Sequence, residues 1–181
     1  FDAFELARKC GFDNINTDLI AGLPTDTPES FKNSLDSIVR LNAECITVHT
    51  LCMKRASRLT TEGVTLDLQQ ARDAREMLAY TQNILGQNEY IPYYMYRQSR
   101  MVGNLENVGW SKRGFESLYN VYVMDETHTI LACGSGGVTK LKRNNPDYLE
   151  RIFNFKYPYE YIDRFDELIQ RKSGIMQFYG Q

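Results

Sequence analysis

Asn16 and Asp18 are polar residues in the segment 15–20, which is predicted to form a β-strand. Because side chains alternate along a strand, both point to one face, opposite Thr17 and Leu19. Strands of a parallel sheet are usually apolar on both faces, and ligands bind beyond their carboxyl ends. The pair therefore indicates either a ligand site or a carboxylate that bonds a neighbouring loop.

Two glycine-containing segments follow predicted strands. The first, 22–27, leads into a helix whose free N–H groups can hold an anion. The second, 134–137, permits the close approach of a ligand to the backbone. It lacks the lysine of a phosphate-binding P-loop and precedes a strand, which excludes a nucleoside triphosphate site of that kind. Both segments are equally typical of structural turns.

Basic and aromatic residues are mixed in and beside the segment 97–117, which is predicted to be a long loop. The set comprises Tyr93, Tyr94, Tyr96, Arg97, Arg100, Trp110, Lys112 and Arg113. Guanidinium groups bind carboxylates and stack on aromatic rings, so the mixture favours a planar, polyanionic ligand. A solvated loop and a site for single-stranded nucleic acid are the alternatives.

The composition of the chain limits the classes of protein to which it can belong. The chain has 181 residues, of which 43% are hydrophobic and 24% charged, as in one soluble globular domain with or without an appendage. A formal net charge of −2 disfavours general electrostatic binding of nucleic acid. No apolar run reaches the ~18 residues of a membrane span, and no signal peptide opens the chain.

The four cysteines are Cys10, Cys45, Cys52 and Cys133. They form no C-x-x-C pair and no close ligand spacing. In a chain of this length the pattern predicts no disulfide scaffold and no metal site, and it favours a reducing, cytoplasmic location.

The elements that must position these residues follow from local signals. A helix ending at Gly11, the strand 15–20, a helix beginning at Thr27-Pro28 and the strand 45–51 form a βαβ unit with parallel strands. Further on, a capping box at Asp67 predicts a long helix to about residue 86. The remaining predictions are a strand over 91–96, a hairpin of 118–124 with 129–133, a strand over 138–142, and mostly helix over 148–178.

The order of these motifs resembles that of the oxygen-independent coproporphyrinogen III oxidase family of radical SAM enzymes. The segment 16–31 is similar to the family signature DLIxGLPxxTxxSF. The segment 96–109 is similar to the branch called coproporphyrinogen dehydrogenase. Further matching segments lie at the family's spacing, namely 46–51 with Lys54-Arg55, 109–111, 116–120 and 134–137.

The resemblance implies an α/β fold, namely the C-terminal half of a partial (β/α)6 radical SAM barrel followed by an α+β region that covers the substrate. It places the barrel remnant in residues 1–56 and the covering region in residues 57–181. The family motif C-x3-C-x2-C, whose thiolates bind an iron–sulfur cluster, is absent from the chain. We therefore expect a C-terminal fragment, beginning at Phe1, that lacks cluster ligands and is inactive by itself.

The activity implied for the parent enzyme is the oxidative decarboxylation of coproporphyrinogen III to protoporphyrinogen IX in haem biosynthesis. In the family a 4Fe-4S cluster cleaves S-adenosyl-L-methionine (SAM), and the resulting radical takes a hydrogen from a propionate that then loses carbon dioxide. By motif position, the resemblance assigns SAM binding to Asp18, Cys52 and Val138.

Further site residues are inferred from residue type alone. Arg97, Arg100 and Lys112 are predicted to bind the propionate carboxylates of the substrate. Neither a catalytic residue nor a metal ligand is assigned within the chain.

Two other functions stay open. One is a haem-binding or haem-chaperone relative of the same superfamily, and the other is a non-catalytic binding module. No nucleic-acid or membrane partner is expected. Because the preceding barrel strand would be missing, the segment 15–20 would be an unpaired edge with Asp18 as its only charge, and self-association through that edge is predicted.

Overall fold

A computed structural model describes residues 1–52, 67–97, 102–144 and 147–180. The chain divides into two compact units, Phe1–Ser117 and Leu118–Gln181. The domain boundary predicted at residues 56 and 57 lies outside the described residues. In the described part of the chain, no helix combines the length and the apolar character needed to cross a membrane.

The first unit contains a four-stranded sheet and its helices. Its elements are α1 (Asp2–Lys9), β1 (Asn16–Ala21), α2 (Pro28–Arg40), β2 (Cys45–Thr50), α3 (Leu68–Gln87), β3 (Ile91–Tyr96), a 3-10 turn (Val102–Asn104) and β4 (Asn107–Ser111). The strand order is β1-β2-β4-β3, with β1 and β2 parallel and β4 antiparallel to both of its neighbours.

The predicted helix–strand–helix–strand order over the first 52 residues is confirmed, as is the parallel pairing of its two strands. In the described residues β1 lies at an edge of the sheet. Association through this edge stays a prediction.

Local capping explains where the helices of this unit begin. Thr27 caps α2 by accepting a hydrogen bond from the Ser30 N–H, while the Ser30 hydroxyl accepts one from the Thr27 N–H. Asp67 and Gln70 form the same reciprocal pair at the start of α3. Each cap satisfies N–H groups that have no partner inside the helix, so both starts follow from the sequence.

The core of the first unit lies on one face of the sheet. Ile46 and Val48 of β2 are fully buried there against Phe31 and Leu35 of α2 and Met77 of α3. Burying an apolar side chain of this size stabilises the fold by roughly 1.5 to 3 kcal/mol relative to leaving it exposed. Because α2 and α3 pack on this face, the opposite face of the sheet is left for polar residues.

The long loop predicted over 97–117 is wrong, because β4 lies within it and pairs with both β2 and β3. Trp110, predicted as part of a ligand-binding loop, is instead a core residue with 7% of its surface exposed. The glycines at 103, 109 and 114 favour a loop over this segment. Gly109 is a strand residue, however, and its missing side chain leaves room for the ring of Tyr94.

The second unit contains α4 (Leu118–Asp125), β5 (Val138–Asn144), β6 (Asp147–Phe153), α5 (Pro158–Asp163), α6 (Phe165–Lys172) and α7 (Gly174–Tyr179). The strands β5 and β6 form an antiparallel pair. The hairpin predicted from 118–124 and 129–133 is wrong, since the first segment is α4 and the second contributes one isolated bridge, from Ile130 to Lys140. β-Branched and aromatic residues had favoured a strand over α4, but such propensity yields to tertiary context.

The predicted helical C-terminal segment is correct from residue 158, whereas residues 148–153 belong to β6. The α/β class predicted for the chain is confirmed as a mixed α/β fold. The partial barrel stays a prediction.

Candidate functional site

The face of the first unit's sheet that α2 and α3 leave uncovered carries a set of polar side chains, here called the polar face. Its members come from three of the four strands, β1, β2 and β3, and are Asn16, Asp18, Thr47, His49, Tyr94 and Tyr96. In each strand they occupy alternate positions, and Val48, which lies between Thr47 and His49, points to the core on the opposite face. The polar face is therefore a direct consequence of strand alternation.

A first hydrogen-bond chain crosses this face from Tyr94 to Asp18. The Tyr94 hydroxyl lies 3.2 Å from Thr47 Oγ1, which donates to Asn16 Oδ1 at 3.1 Å. Asn16 Nδ2 in turn donates to Asp18 Oδ1 at 2.6 Å. Since the Thr47 proton is used toward Asn16, the Tyr94 hydroxyl must be the donor to Thr47.

A second series of polar contacts, through Tyr96 and His49, reaches the other oxygen of the Asp18 carboxylate. The Tyr96 hydroxyl lies 3.2 Å from His49 Nδ1. His49 Nε2 faces Asp18 Oδ2 at 3.6 Å, which is an ion-pair distance and longer than a hydrogen bond. The two oxygens of Asp18 therefore face different partners, one on its own strand and one on β2.

The hydroxyls of Tyr94 and Tyr96 are both protonated and can donate hydrogen bonds. Burial raises the pKa of Tyr94 and of Tyr96, so both phenols stay protonated well above neutral pH. The Asp18 side chain is 58% exposed and the His49 side chain 29% exposed, so the carboxylate stands at the solvent side of the two chains. The arrangement offers an oriented carboxylate to a ligand that donates hydrogen bonds.

Gly109 of β4 shapes this face by having no side chain. A Cβ at this position would lie 1.8 Å from Cε1 of Tyr94, which is a severe overlap. The Tyr94 ring therefore lies directly over the Gly109 backbone and stacks with the ring of Tyr96, with 6.3 Å between the ring centroids.

The predicted SAM contacts fall in both units. Asp18 lies at the centre of the polar face, and Cys52, which is half-buried, follows the carboxyl end of β2. Val138, also half-buried, is the first residue of β5 in the second unit. Before it, the glycine run forms a turn braced by Asn154, whose Nδ2 donates to the Gly134 carbonyl at 2.7 Å, as expected for the structural interpretation of that run.

Two of the predicted carboxylate clamps, Arg97 and Lys112, lie apart from each other in the described residues. Arg97 pairs with Glu106 at 2.8 Å and lines a cavity of about 350 Å³ on the core face of the sheet, away from the polar face. Lys112 follows β4 at the end of the sheet where β3 begins, so about five strand residues, roughly 17 Å, separate it from Arg97. Its Nζ donates to the Asn42 side chain. Arg100 lies outside the described residues.

Several residues of the polar face were missed or misplaced by sequence reasoning. The strand predicted over 91–96 is confirmed, but Tyr94 and Tyr96 are predicted there in a set with basic residues for a planar, polyanionic ligand. Neither Thr47 nor His49 is among the predicted site residues. The alternation of apolar and polar residues within β2 is the signal that could have placed Thr47 and His49 beside Asp18.

The described residues do not fit an iron–sulfur cluster. Among residues 1–52, 67–97, 102–144 and 147–180, no group of three or more His, Cys, Asp or Glu side chains could hold a metal ion. Cys45 is buried, and its thiol donates to the Phe115 carbonyl at 3.1 Å. Burial also raises the pKa of this thiol, which disfavours the thiolate that a cluster needs.

Comparison with known proteins finds relatives in the family that the motifs resemble. No protein-family model matches the chain. The chain is 36% identical over 176 residues to the oxygen-independent coproporphyrinogen-III oxidase-like protein HemZ of Bacillus subtilis, covering 97% of this chain and 35% of that protein. It is 29% identical over 154 residues to the heme chaperone HemW of Lactococcus lactis, covering 80% of this chain and 36% of that protein.

A solved structure has a similar fold. It is coproporphyrinogen III oxidase (HemN) from Escherichia coli, described as a radical SAM enzyme, with a TM-score of 0.60 and 18% identity. The match covers 92% of this chain and 37% of that chain, so the chain spans about a third of the length of each protein named here. In sequence and in fold, the chain resembles the oxygen-independent coproporphyrinogen III oxidase-like proteins of the radical SAM superfamily, as its motifs predict.

Proposed function

We propose that this chain is a C-terminal part of a radical SAM protein and that its polar face binds SAM. The observation that carries the proposal is the Asp18 carboxylate, which a hydrogen bond from Asn16 and the 3.6 Å contact with His49 orient while more than half of its side-chain surface stays exposed. A carboxylate accepts strong hydrogen bonds from hydroxyl groups, and the ribose of SAM offers two of them.

The residues of the polar face fit the polar part of such a ligand. Asp18 would accept the ribose hydroxyls, and the backbone beside Cys52 would add a contact after the carboxyl end of β2. Val138 stays a proposed SAM contact by its motif position. Bound SAM would supply a carbon radical that removes a hydrogen atom from the substrate. What this chain contributes is orientation of the nucleoside, because its described residues present no set of ligands for the cluster.

For the whole protein we propose the oxidative decarboxylation of coproporphyrinogen III in haem biosynthesis, with the cluster bound outside this chain. The similarity to an oxidase-like protein over 97% of the chain supports this activity. The chain alone would be inactive. Arg100 and Lys112 remain proposed contacts for the substrate carboxylates, whereas Arg97 already has a carboxylate partner in Glu106.

A second candidate function is haem binding or haem delivery. The observation that favours it is the 29% identity to a heme chaperone over 80% of the chain. Titration of the full-length protein with haemin separates the two candidates. A stoichiometric Soret band together with no turnover of coproporphyrinogen III would favour the chaperone, and turnover would favour the oxidase.

The proposed SAM site is tested with Asp18→Asn in the full-length protein. Loss of a charge-assisted hydrogen bond costs about 1.5 to 3 kcal/mol, so the dissociation constant for SAM is expected to rise by about 10- to 100-fold in calorimetry. Asp163→Asn, at an exposed position of α5, is the matched control and is expected to bind SAM normally. Unchanged affinity in Asp18→Asn would remove Asp18 from the site.

A further inference from the structure

The Asp18 carboxylate is held more firmly than an exposed strand residue requires. A carboxylate that only had to be solvated would need no protein partner, and Asp18 is 58% exposed. Nevertheless Oδ1 accepts a hydrogen bond from Asn16 at 2.6 Å, and Oδ2 faces His49 Nε2 at 3.6 Å. The protein therefore sets the direction in which this carboxylate points.

The contacts of His49 determine what it presents to Asp18. The Tyr96 phenol stays protonated and is the donor in its 3.2 Å contact with His49 Nδ1. A neutral His49 therefore carries its hydrogen on Nε2, the atom that faces Asp18. This tautomer is assigned from the hydrogen-bond partners.

We propose that His49 is a positioning residue for Asp18, and that its charge controls how well the polar face accepts a cationic, hydroxyl-bearing ligand. The proposal rests on the proposed function, in which that ligand is SAM. Neutral His49 directs an N–H toward one carboxylate oxygen and leaves the remaining lone pairs to the ligand. Protonated His49 forms an ion pair with Asp18 and adds a positive charge beside a ligand that carries a sulfonium.

The polar groups around His49 come from the neighbouring strands. Asp18 faces it from β1, and Tyr96, stacked on Tyr94, faces it from β3. The Cys52 thiol lies near Tyr96 after β2. From β4 the neutral amide of Asn107 contacts the end of β2, where its Oδ1 accepts the Thr50 N–H at 2.7 Å. Histidine is the side-chain type that gains its charge between pH 5 and 8.

The experiment measures SAM affinity of the full-length protein by calorimetry between pH 7.5 and 5.5. In the wild type the dissociation constant is expected to rise by about three- to tenfold over this range. His49→Gln keeps an N–H donor but does not titrate, so its SAM affinity is expected to change less between pH 7.5 and 5.5 than that of the wild type. His49→Leu lacks both properties and is expected to bind about three- to tenfold more weakly at pH 7.5.

Two further variants serve as an independent test and as a control. Tyr96→Phe removes one hydroxyl and keeps the ring, and it is expected to weaken SAM binding by about two- to fivefold even if His49→Leu does not fold. His128→Gln is the matched control because His128, the other histidine of the chain, lies in the second unit, and it is expected to behave as the wild type.

The outcomes separate this inference from the function on which it rests. If Asp18→Asn weakens SAM binding while the His49 and Tyr96 variants keep wild-type affinity and pH dependence, the SAM site stands and the inference is overturned. If Asp18→Asn itself binds SAM normally, the proposed site falls and the inference falls with it. A smaller pH dependence in His49→Gln but not in His128→Gln would support the inference.

Discussion

A single missing side chain, that of Gly109, decides where Tyr94 can lie. The Tyr94 ring covers the Gly109 backbone and makes edge contact with Tyr93 at 4.8 Å between the centroids. Its hydroxyl is the start of the chain that ends on Asp18. The geometry of an exposed carboxylate on β1 thus depends on a backbone atom two strands away.

Gly109→Ala is therefore expected to destabilise the fold. A Cβ would lie 1.8 Å from the Tyr94 ring, and overpacking of this kind typically lowers the free energy of unfolding by about 1 to 3 kcal/mol. Urea unfolding followed by the fluorescence of Trp110, the one tryptophan of the chain, measures the effect. Gly86→Ala is the control because nothing lies within 4 Å of its added Cβ, and equal stability of the two variants would contradict the prediction.

At the scale of elements, an ion pair between half-buried Arg8 and buried Glu44 joins α1 to the start of β2. Glu44, 8% exposed, receives Arg8 Nη2 at 2.6 and 2.7 Å on its two oxygens and the Ile15 N–H at 3.0 Å. Burial alone would raise the pKa of Glu44, but the hydrogen bonds and the charge of Arg8 outweigh it, and its pKa is lowered. The helix and the strand are thus joined by a carboxylate that must stay ionised.

The pH dependence of stability follows from the sign of this shift. A group whose pKa is lower in the folded state stabilises the protein above its unfolded value, about 4.3 for glutamate, and loses that contribution as the pH falls through the folded value. Glu44→Gln is expected to lower the free energy of unfolding by about 1 to 3 kcal/mol at pH 7, and the difference from wild type should shrink below pH 4.

Urea unfolding at a series of pH values measures this contribution. Glu76→Gln is the matched control, because Glu76 is 56% exposed in its surface pair with Lys32 and is worth at most about 1 kcal/mol. A Glu44→Gln variant as stable as Glu76→Gln at pH 7 would show that the Arg8–Glu44 pair does not stabilise the fold.

At the scale of the whole molecule, the two units differ in how their sheets are supported. The first unit has four strands, and its central strand β2 has five of six residues buried. The described sheet of the second unit has two strands, and its fully buried side chains are fewer, among them Leu141 and Leu168. A two-stranded sheet is marginally stable without packing from other elements.

Hydrogen exchange is therefore expected to be uneven along the chain. Amides of β2 and β4 should exchange the most slowly, and those of β6, whose residues are half-buried or exposed, about tenfold faster or more. Mass spectrometry of exchange-labelled peptides in the native protein measures this gradient. Equal protection of β2 and β6 would indicate that the two units open together as one cooperative body.

The sequence by itself determined the features that depend on neighbouring residues. The caps at Thr27 and Asp67 act over three residues, so they place α2 and α3 without knowledge of the rest of the chain. Alternation likewise put Asn16 and Asp18 on one face of β1. The ordered motifs carried the family resemblance, since their types and spacing can be read along the chain.

Only the tertiary structure decided which strands are neighbours and what faces Asp18. The segment of β4 contains glycines and reads as a loop, and its strand form depends on hydrogen bonds from β2 and β3 on both sides. Those pairings bring Tyr94, Tyr96 and His49 to Asp18 and turn Arg97 to the other face. Alternation gives the face of a residue within its own strand, but strand order depends on contacts between distant segments, which no local pattern encodes.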